Sequence, residues 1–280
     1  MQQETKAPGF VLAIDCGNTS TSFGLFAGDA DAMAEPLGTF ESTTPKRLSA
    51  DEARMKTLQI LSLLAQDAGI DAKAPFGAIL SCVVPSLTES WWEGLAKASG
   101  LKPLVVGPGL RSGMRLAYKD PSEIGPDRLA DAVATRALLG SPAIAVDFGT
   151  TLNIEAIGQD GSFLGGIIAP GVALGARALR GAAARLPEIE LAVPAHAIGT
   201  TTKEAMQSGL ILGEIARVDG LLDAVMEELG AAAPIVVTGD GAAALAASMR
   251  HEAEVDAALT LKGLHLLYCA NPRLHGRAGK

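Results

Sequence analysis

Two stretches of the 280-residue chain repeat one arrangement of residue types that suits the holding of phosphate. In Phe10 to Phe26 an apolar run leads into Asp15-Cys16-Gly17-Asn18-Thr19-Ser20-Thr21-Ser22 and then an alternating stretch. In Ala143 to Ile157 an apolar run leads into Asp147-Phe148-Gly149-Thr150. A glycine lets backbone approach a phosphate, neighbouring N–H groups and a Thr hydroxyl donate to its oxygens, and an Asp at the strand end can hold a cation against the anion. Taken singly, each is an ordinary turn of Asp, Gly, Asn and Thr. Two of them nearly half the chain apart point instead to a pair of opposed phosphate loops. A third turn, Thr238-Gly239-Asp240-Gly241, joins a short apolar strand to a helix and offers a glycine floor for an adenosine. Gly239-Asp240-Gly241 with Ala244 also imitates a dinucleotide fingerprint, but too few residues follow it for the second strand that carries the ribose-binding acid.

The segment Tyr118 to Arg128 is the next place where chemistry is possible. Asp127 at a helix start is, by itself, a cap or a partner for the positive helix end. Arg128 beside it offers a fork for a carboxylate, and Gly125 opens the backbone. Acid, cation and glycine together suit an anionic substrate held next to a base.

These residues need a framework. Both turn-bearing segments follow the plan strand, tight turn, strand, turn, strand, so the chain reads as an internal duplication. Between them the pattern is helical: Asp51 to Ala68 carries Met55, Leu58, Leu61, Leu63 and Leu64 near the spacing of an amphipathic helix. Gly77 to Val84 suits a buried strand stopped by Pro85, with Trp91 and Trp92 in the helix beyond. Leu104 to Val106 and Ile235 to Val237 read as strands, and Asp127 to Leu139, Thr202 to Leu229 and Ala242 to Met249 as helices. The alternation predicts an α/β class with mixed sheets flanked by helices. Repeat logic divides it into residues 1–117, with the first phosphate turn, and 118–280, with the other motifs.

Composition closes off other classes. Hydrophobic residues at 48% against 19% charged support a packed core and exclude wholesale disorder. Lys and Arg number 23 against 31 Asp and Glu, a net charge of -8, so the basic footprint of a nucleic-acid binder is missing. Cys16, Cys82 and Cys269 stand far apart without C-x-x-C spacing, which argues against a disulfide framework or structural zinc. The polar start and short apolar run Phe10 to Ile14 lack an export-signal core. The longest uncharged stretch, Gly161 to Ala176, falls short of the roughly 20 residues that span a bilayer, so a cytoplasmic protein with no membrane partner is expected.

The ordered set of motifs resembles the type III pantothenate kinases over nearly the whole chain. It is carried by Asp15 to Thr19, Gly125-Pro126-Asp127-Arg128, Asp147 to Thr150, Gly165 to Gly171, Ile198 to Thr202 with Gln207-Ser208-Gly209, and Thr238-Gly239. The resemblance implies the actin, Hsp70 and sugar-kinase superfold: two duplicated ribonuclease-H-like lobes with a nucleotide cleft between them. It implies ATP-dependent phosphorylation of pantothenate to 4'-phosphopantothenate, the first step of coenzyme A synthesis, by a homodimer. By the same resemblance Asp15, Cys16, Gly17, Asn18, Thr19, Ser20, Thr21 and Ser22 would bind ATP with Mg2+, and Thr150 would touch the nucleotide. Asp127 would accept the proton, and Asp147 would hold a monovalent cation, K+ or NH4+. Tyr118, Gly125, Pro126, Asp127, Arg128 and Thr202 would contact pantothenate. The chain departs from the family pattern at Asp131, usually Asn, and at Thr200, usually Lys. Asn153 and Glu155 replace the usual Thr and Asp, and Asp240 interrupts paired glycines. Two alternatives stay open: a non-catalytic or regulatory relative that keeps the clamp, and a kinase for another small-molecule hydroxyl.

Overall fold

The computed structural model describes residues 9–28, 33–73, 75–183 and 185–274. The polar start of the chain, on which the expectation of no export signal partly rests, lies outside the described residues. The chain runs through β1 (Phe10–Cys16), β2 (Ser20–Ala27), β3 (Gly38–Thr43), α1 (Ala50–Asp67), β4 (Phe76–Cys82), α2 (Pro85–Ser99), β5 (Leu104–Val105) and α3 (Pro126–Leu139). It continues through β6 (Ala143–Phe148), β7 (Thr151–Ile157), β8 (Phe163–Pro170), α4 (Val172–Ala182), α5 (Thr202–Gln207) and α6 (Gly213–Leu229). β9 (Ile235–Gly239), α7 (Ala242–Ala246), β10 (Glu254–Val255) and α8 (Leu259–Cys269) follow.

The α/β class forms as expected, with two five-stranded mixed sheets ordered β3-β2-β1-β4-β5 and β10-β9-β6-β7-β8. In each sheet the first three strands in sequence pair antiparallel, and the last two join the first strand's other edge in parallel. The duplication read from the two turns is therefore a duplication of strand topology.

The chain forms two compact units, one of residues up to Leu138 together with those from Ala258 on, the other Leu139–Ala257. This division does not coincide with the expected boundary after residue 117. The reason is packing: Leu129, Ala130 and Val133 of α3 and Leu261 and Leu264 of α8 join Val11, Ala13 and Ile79 in one buried cluster on the first sheet.

In the first unit, alternation along β1 sends Leu12, Ile14 and Cys16 into a second cluster under α1 and α2. Trp91 is fully buried there, edge-on to Phe23 with ring centroids 5.8 Å apart. α1 and α2 approach closely at Gly94, where an added Cβ would lie 2.5 Å from Ala53 Cβ and 2.8 Å from the Ala50 oxygen. This contact orients α1 so that Ala53, Thr57, Ile60, Leu61 and Leu64 are buried. Met55, Leu58 and Leu63, expected in the buried stripe, are exposed. The closest helix approach selects small Ala53 and Thr57, whose hydroxyl donates to the Ala53 carbonyl at 2.8 Å, and hydropathy spacing gives such residues little weight.

The sequence pattern does not predict α4 or α8. In α8 even Lys262 is only 5% exposed, with Nζ 2.5 Å from Glu35 Oε1, so the helix has no polar stripe to reveal its period. The expected helix Thr202 to Leu229 is interrupted by a π turn at Ser208–Leu212.

In the second unit, Ile144, Val146 and Phe148 of β6 and Leu152 and Ile154 of β7 pack with Ile215, Val218 and Leu222 of α6. Alternation puts Asp147 on the opposite face, beside its register partners Asn153 and Thr238. Among the described residues, no helix is long and apolar enough to cross a membrane.

Candidate active site

The first turn is a tight hairpin link in which Asp15 pairs with Ser22 and Cys16 with Thr21. The Gly17 N–H donates to the Ser20 oxygen at 3.0 Å, while Asn18 and Thr19 are exposed at the tip. Thr44 fastens the turn from behind: its hydroxyl donates to the Gly17 oxygen at 2.8 Å and its N–H to the Thr19 oxygen at 2.9 Å. Sequence reading misses Thr44, because only the pairing of β3 with β2 brings it there. A hydroxyl residue just past a third strand is the one available signal.

Alternation turns Asp15 toward the sheet face that α3 covers, and α3 carries the second group. Pro126 opens this helix, where its fixed φ and missing N–H are no liability. Asp127 Oδ1 accepts the Arg128 N–H at 2.9 Å. Burial pushes the Asp127 carboxyl above the usual aspartate range, against the lowering effect of backbone hydrogen bonds and the Arg128 charge. Gly125 makes the room, since a Cβ there would lie 2.5 Å from Asp127 Oδ1. Arg128 is buried, and its Nη1 lies 3.5 Å from the Tyr118 hydroxyl. The structure thus brings together Tyr118, Gly125, Pro126, Asp127 and Arg128.

The second unit builds the other turn by close backbone approach. The Gly149 N–H donates to the Thr151 oxygen and the Gly171 N–H to the Thr150 oxygen, each at 3.1 Å. A Cβ on Gly171 would overlap the Gly149 oxygen and lie 2.8 Å from that of Thr150. From the other side Gly239, at φ +89°, leaves 2.5 Å between its would-be Cβ and Asp147 Oδ1. The Asp240 N–H donates to the Phe148 oxygen at 2.5 Å, and Gly239 and Gly241 on either side both keep positive φ. Asp147, Thr150, the end of the Gly165 to Gly171 run and the Thr238 to Gly241 turn therefore form one assembly.

Arg217 of α6 fastens this assembly, donating to the Pro170 oxygen at 2.6 Å and pairing with Glu214. Burial pushes the Glu214 carboxyl up, with Arg217 opposing. An i, i+3 Glu and Arg pair on a helix reads from sequence as a solvated face, so its role here is not legible in the spacing. Asn153 and Glu155 are buried on the same sheet face as Asp147. Thr202 stands exposed at the start of α5, and among the described residues no hydrogen bond ties it to the Asp147 turn.

The pattern that defines type III pantothenate kinases matches residues 11–224. The type III pantothenate kinase of Moorella thermoacetica is 39% identical over 261 residues, covering 93% of this chain and 99% of that protein. Type III pantothenate kinase 2 of Symbiobacterium thermophilum is 39% identical over 273 residues, covering 96% and 100%. The chain belongs to the type III pantothenate kinase family. As a pantothenate kinase it phosphorylates pantothenate in coenzyme A biosynthesis, and the kinase family implies ATP. Among solved structures, a protein described as a Baf family transcriptional activator from Campylobacter jejuni superposes with TM-score 0.58 at 19% identity, covering 94% of this chain and 99% of that one. The ethanolamine utilization protein EutJ of Carboxydothermus hydrogenoformans gives 0.50 at 16% identity, covering 94% and 92%. At these identities the likeness is one of fold.

In this pantothenate kinase, no group of three or more His, Cys, Asp or Glu among the described residues is placed to hold a metal. The Asp147 carboxylate, the Thr150 hydroxyl and the carbonyls of their turn are oxygen-only donors, which fit a hard monovalent cation.

The contact at Gly171 makes a prediction for the pantothenate kinase. Gly171→Ala should lower kcat/KM for ATP by at least about tenfold, because Thr150 must move to admit the methyl. Gly175→Ala, whose Cβ would meet only Leu210 Cδ2 at 3.7 Å, serves as the control and should match wild type in a coupled ADP-release assay. Equal kinetics for both variants would show that the turn tolerates displacement.

Proposed function

We propose that the Asp127 carboxylate takes the proton of the pantothenate hydroxyl as the phosphoryl group arrives, yielding 4'-phosphopantothenate. The observation that supports this most directly is the half-buried Asp127 carboxyl at a helix start, with Gly125 leaving it room and a buried guanidinium beside it. Phosphoryl transfer passes through a loose transition state, so the protein mainly aligns the hydroxyl and stabilises phosphate charge. Burial raises the proton affinity of Asp127, which favours its acting as the acceptor. Arg128 and Tyr118 hold the pantothenate carboxylate, and Thr202 adds a polar contact to the same substrate.

The hairpin from Asp15 to Ser22 holds the ATP phosphates through the N–H groups around Gly17 and the exposed Asn18 and Thr19, and Asp15 would supply a carboxylate to Mg2+ brought in with the nucleotide. Cys16 is a small spacer in that turn. Asp147 holds K+ or NH4+, and Thr150 touches the nucleotide. The protein works as a homodimer in the cytoplasm. Exposed apolar side chains of the second unit support the dimer: Ile168, Leu174, Leu179, Leu191, Val193 and Ile198.

Three measurements test this reading. Asp127→Asn should lower kcat by at least about a hundredfold with ATP binding nearly intact, whereas Arg128→Ala should act mainly on KM for pantothenate. Because the Asp127 pKa is raised, kcat/KM should fall with decreasing pH from a point above the roughly 3.9 of a free aspartate, and Asp127→Asn should lack that limb. Normal turnover by Asp127→Asn would return Asp127 to the role of a helix cap.

Activity should depend on a potassium- or ammonium-like ion, and Asp147→Ala should largely remove the dependence; full activity in sodium-only buffer counts against the cation assignment. Light scattering at micromolar concentration should give a dimer mass, and a fully active monomer would sink that part.

A further inference from the structure

We propose that Cys16 and Cys82 form a peroxide-sensitive dithiol site, joining as a disulfide behind the first phosphate turn and loosening that turn's hold on nucleotide. Its effect on activity rests on the reading of Asp15 to Ser22 as a phosphate turn, whereas formation of the bond does not. The two residues look unrelated in sequence. β1 and β4 nevertheless run parallel and in register, with Cys16 opposite Cys82 and each the last residue of its strand. Neighbouring strands lie about 4.7–4.9 Å apart, within the roughly 4.4–6.8 Å between Cα atoms that a disulfide spans. Cys16 belongs to the cluster under α1 and α2 and Cys82 packs against it, with the Cys82 Sγ–H donating to the Val84 oxygen at 3.3 Å. Neither is in a disulfide.

The surroundings assign the two sulfurs different parts. Cys16 is buried while Cys82 is partly exposed, so a small oxidant meets Cys82 first. The neighbouring Cys16 thiol, with Thr88 of α2, lowers the Cys82 thiol below the usual range, against burial, which raises it. Exposure therefore makes Cys82 the sulfur that meets the oxidant and buried Cys16 the one that resolves it.

The chemistry balances with hydrogen peroxide as the oxidant. The Cys82 thiolate attacks one peroxide oxygen, the O–O bond breaks, and hydroxide leaves and takes a proton from solvent, giving Cys82 sulfenic acid and water. The Cys16 sulfur then attacks the Cys82 sulfur, the S–O bond breaks, and the hydroxyl departs with the Cys16 proton as a second water. The two sulfurs together lose two electrons, and the peroxide gains them.

A chain of contacts carries the change to the turn. The Thr21 hydroxyl lies 3.6 Å from Cys16 Sγ and 2.8 Å from Thr44 Oγ1, and the Thr44 hydroxyl donates to the Gly17 oxygen at 2.8 Å. Drawing the two sulfurs to bonding distance pulls Cys16 Sγ toward Cys82 and away from Thr21. The support behind Gly17 is thereby disturbed at its far end.

The test uses the full-length kinase, reduced or treated with hydrogen peroxide, then alkylated, mapped by peptide mass and assayed for ADP release. Oxidised wild type should yield a Cys16–Cys82 cross-linked peptide and a KM for ATP raised at least about fivefold, both reversed by dithiothreitol. Cys82→Ser and Cys82→Ala should keep the reduced activity and lose the peroxide response, while Cys269→Ser should keep both. Absence of the cross-linked peptide overturns the site. The cross-link with unchanged kinetics overturns its coupling to the turn, as does equal inactivation of the Cys82 variants. Reduced Asp15→Asn separately tests the phosphate-turn reading: unchanged KM for ATP there defeats that reading and leaves the mapped disulfide standing.

Discussion

The pleat of β1 is the constraint on which the first unit depends. Successive strand residues face opposite ways, so the dipeptide Asp15-Cys16 must place an acid on the α3 side and a thiol in the core under α1 and α2. A slip of one residue would exchange them, burying a carboxylate against Leu87 and Trp91 and sending Leu12 and Ile14 to the other face. Register is held from both edges, antiparallel to β2 and parallel to β4. The same alternation on β6 turns Asp147 away from the cluster that contains Val146 and Phe148. In both units the acid occupies the first position from which a side chain on that face can reach beyond the strand end.

Two carboxyls, Asp127 and Glu214, are pushed up by burial, yet their surroundings differ. Asp127 sits in the first turn of a helix, where the positive helix end favours its charged form, and Gly125 leaves the space beside its Oδ1 clear. Glu214 is paired with Arg217, whose other contact is a backbone carbonyl at the end of β8. The first arrangement leaves a carboxyl available to a substrate, and the second uses one to hold a strand end in place.

Much of this was legible in the sequence because it is local. A strand-end Asp followed by Gly and Thr, or Pro126 opening a helix before Asp127, is written within a few residues. The internal duplication could be read because strand topology repeats along with the turns. What escaped depends on contacts distant in sequence: Thr44 behind Gly17, Arg217 against Pro170, and Cys82 beside Cys16. α8 escaped for another reason. Its residues are apolar on nearly every side, and periodicity needs a polar face to be visible. Leu61 and Leu64 of the α1 stripe are buried as the spacing implies, while Met55, Leu58 and Leu63 are not, because close packing at Gly94 favours Ala53 and Thr57 over larger residues.

The return of α8 to the first sheet bears on how the chain is made. Residues Leu139–Ala257 are continuous, so the second unit is complete in sequence as soon as Ala257 has been added. The first unit is not, because the cluster of Val11, Ala13, Phe26 and Ile79 is covered by Leu261, Leu264 and Leu267. On a ribosome the unit synthesised first has this apolar sheet face only partly covered, by α3, until α8 emerges. The path of a single helix thus leaves the first unit, covered on that face by α3 alone until then, the last to have its whole sequence available.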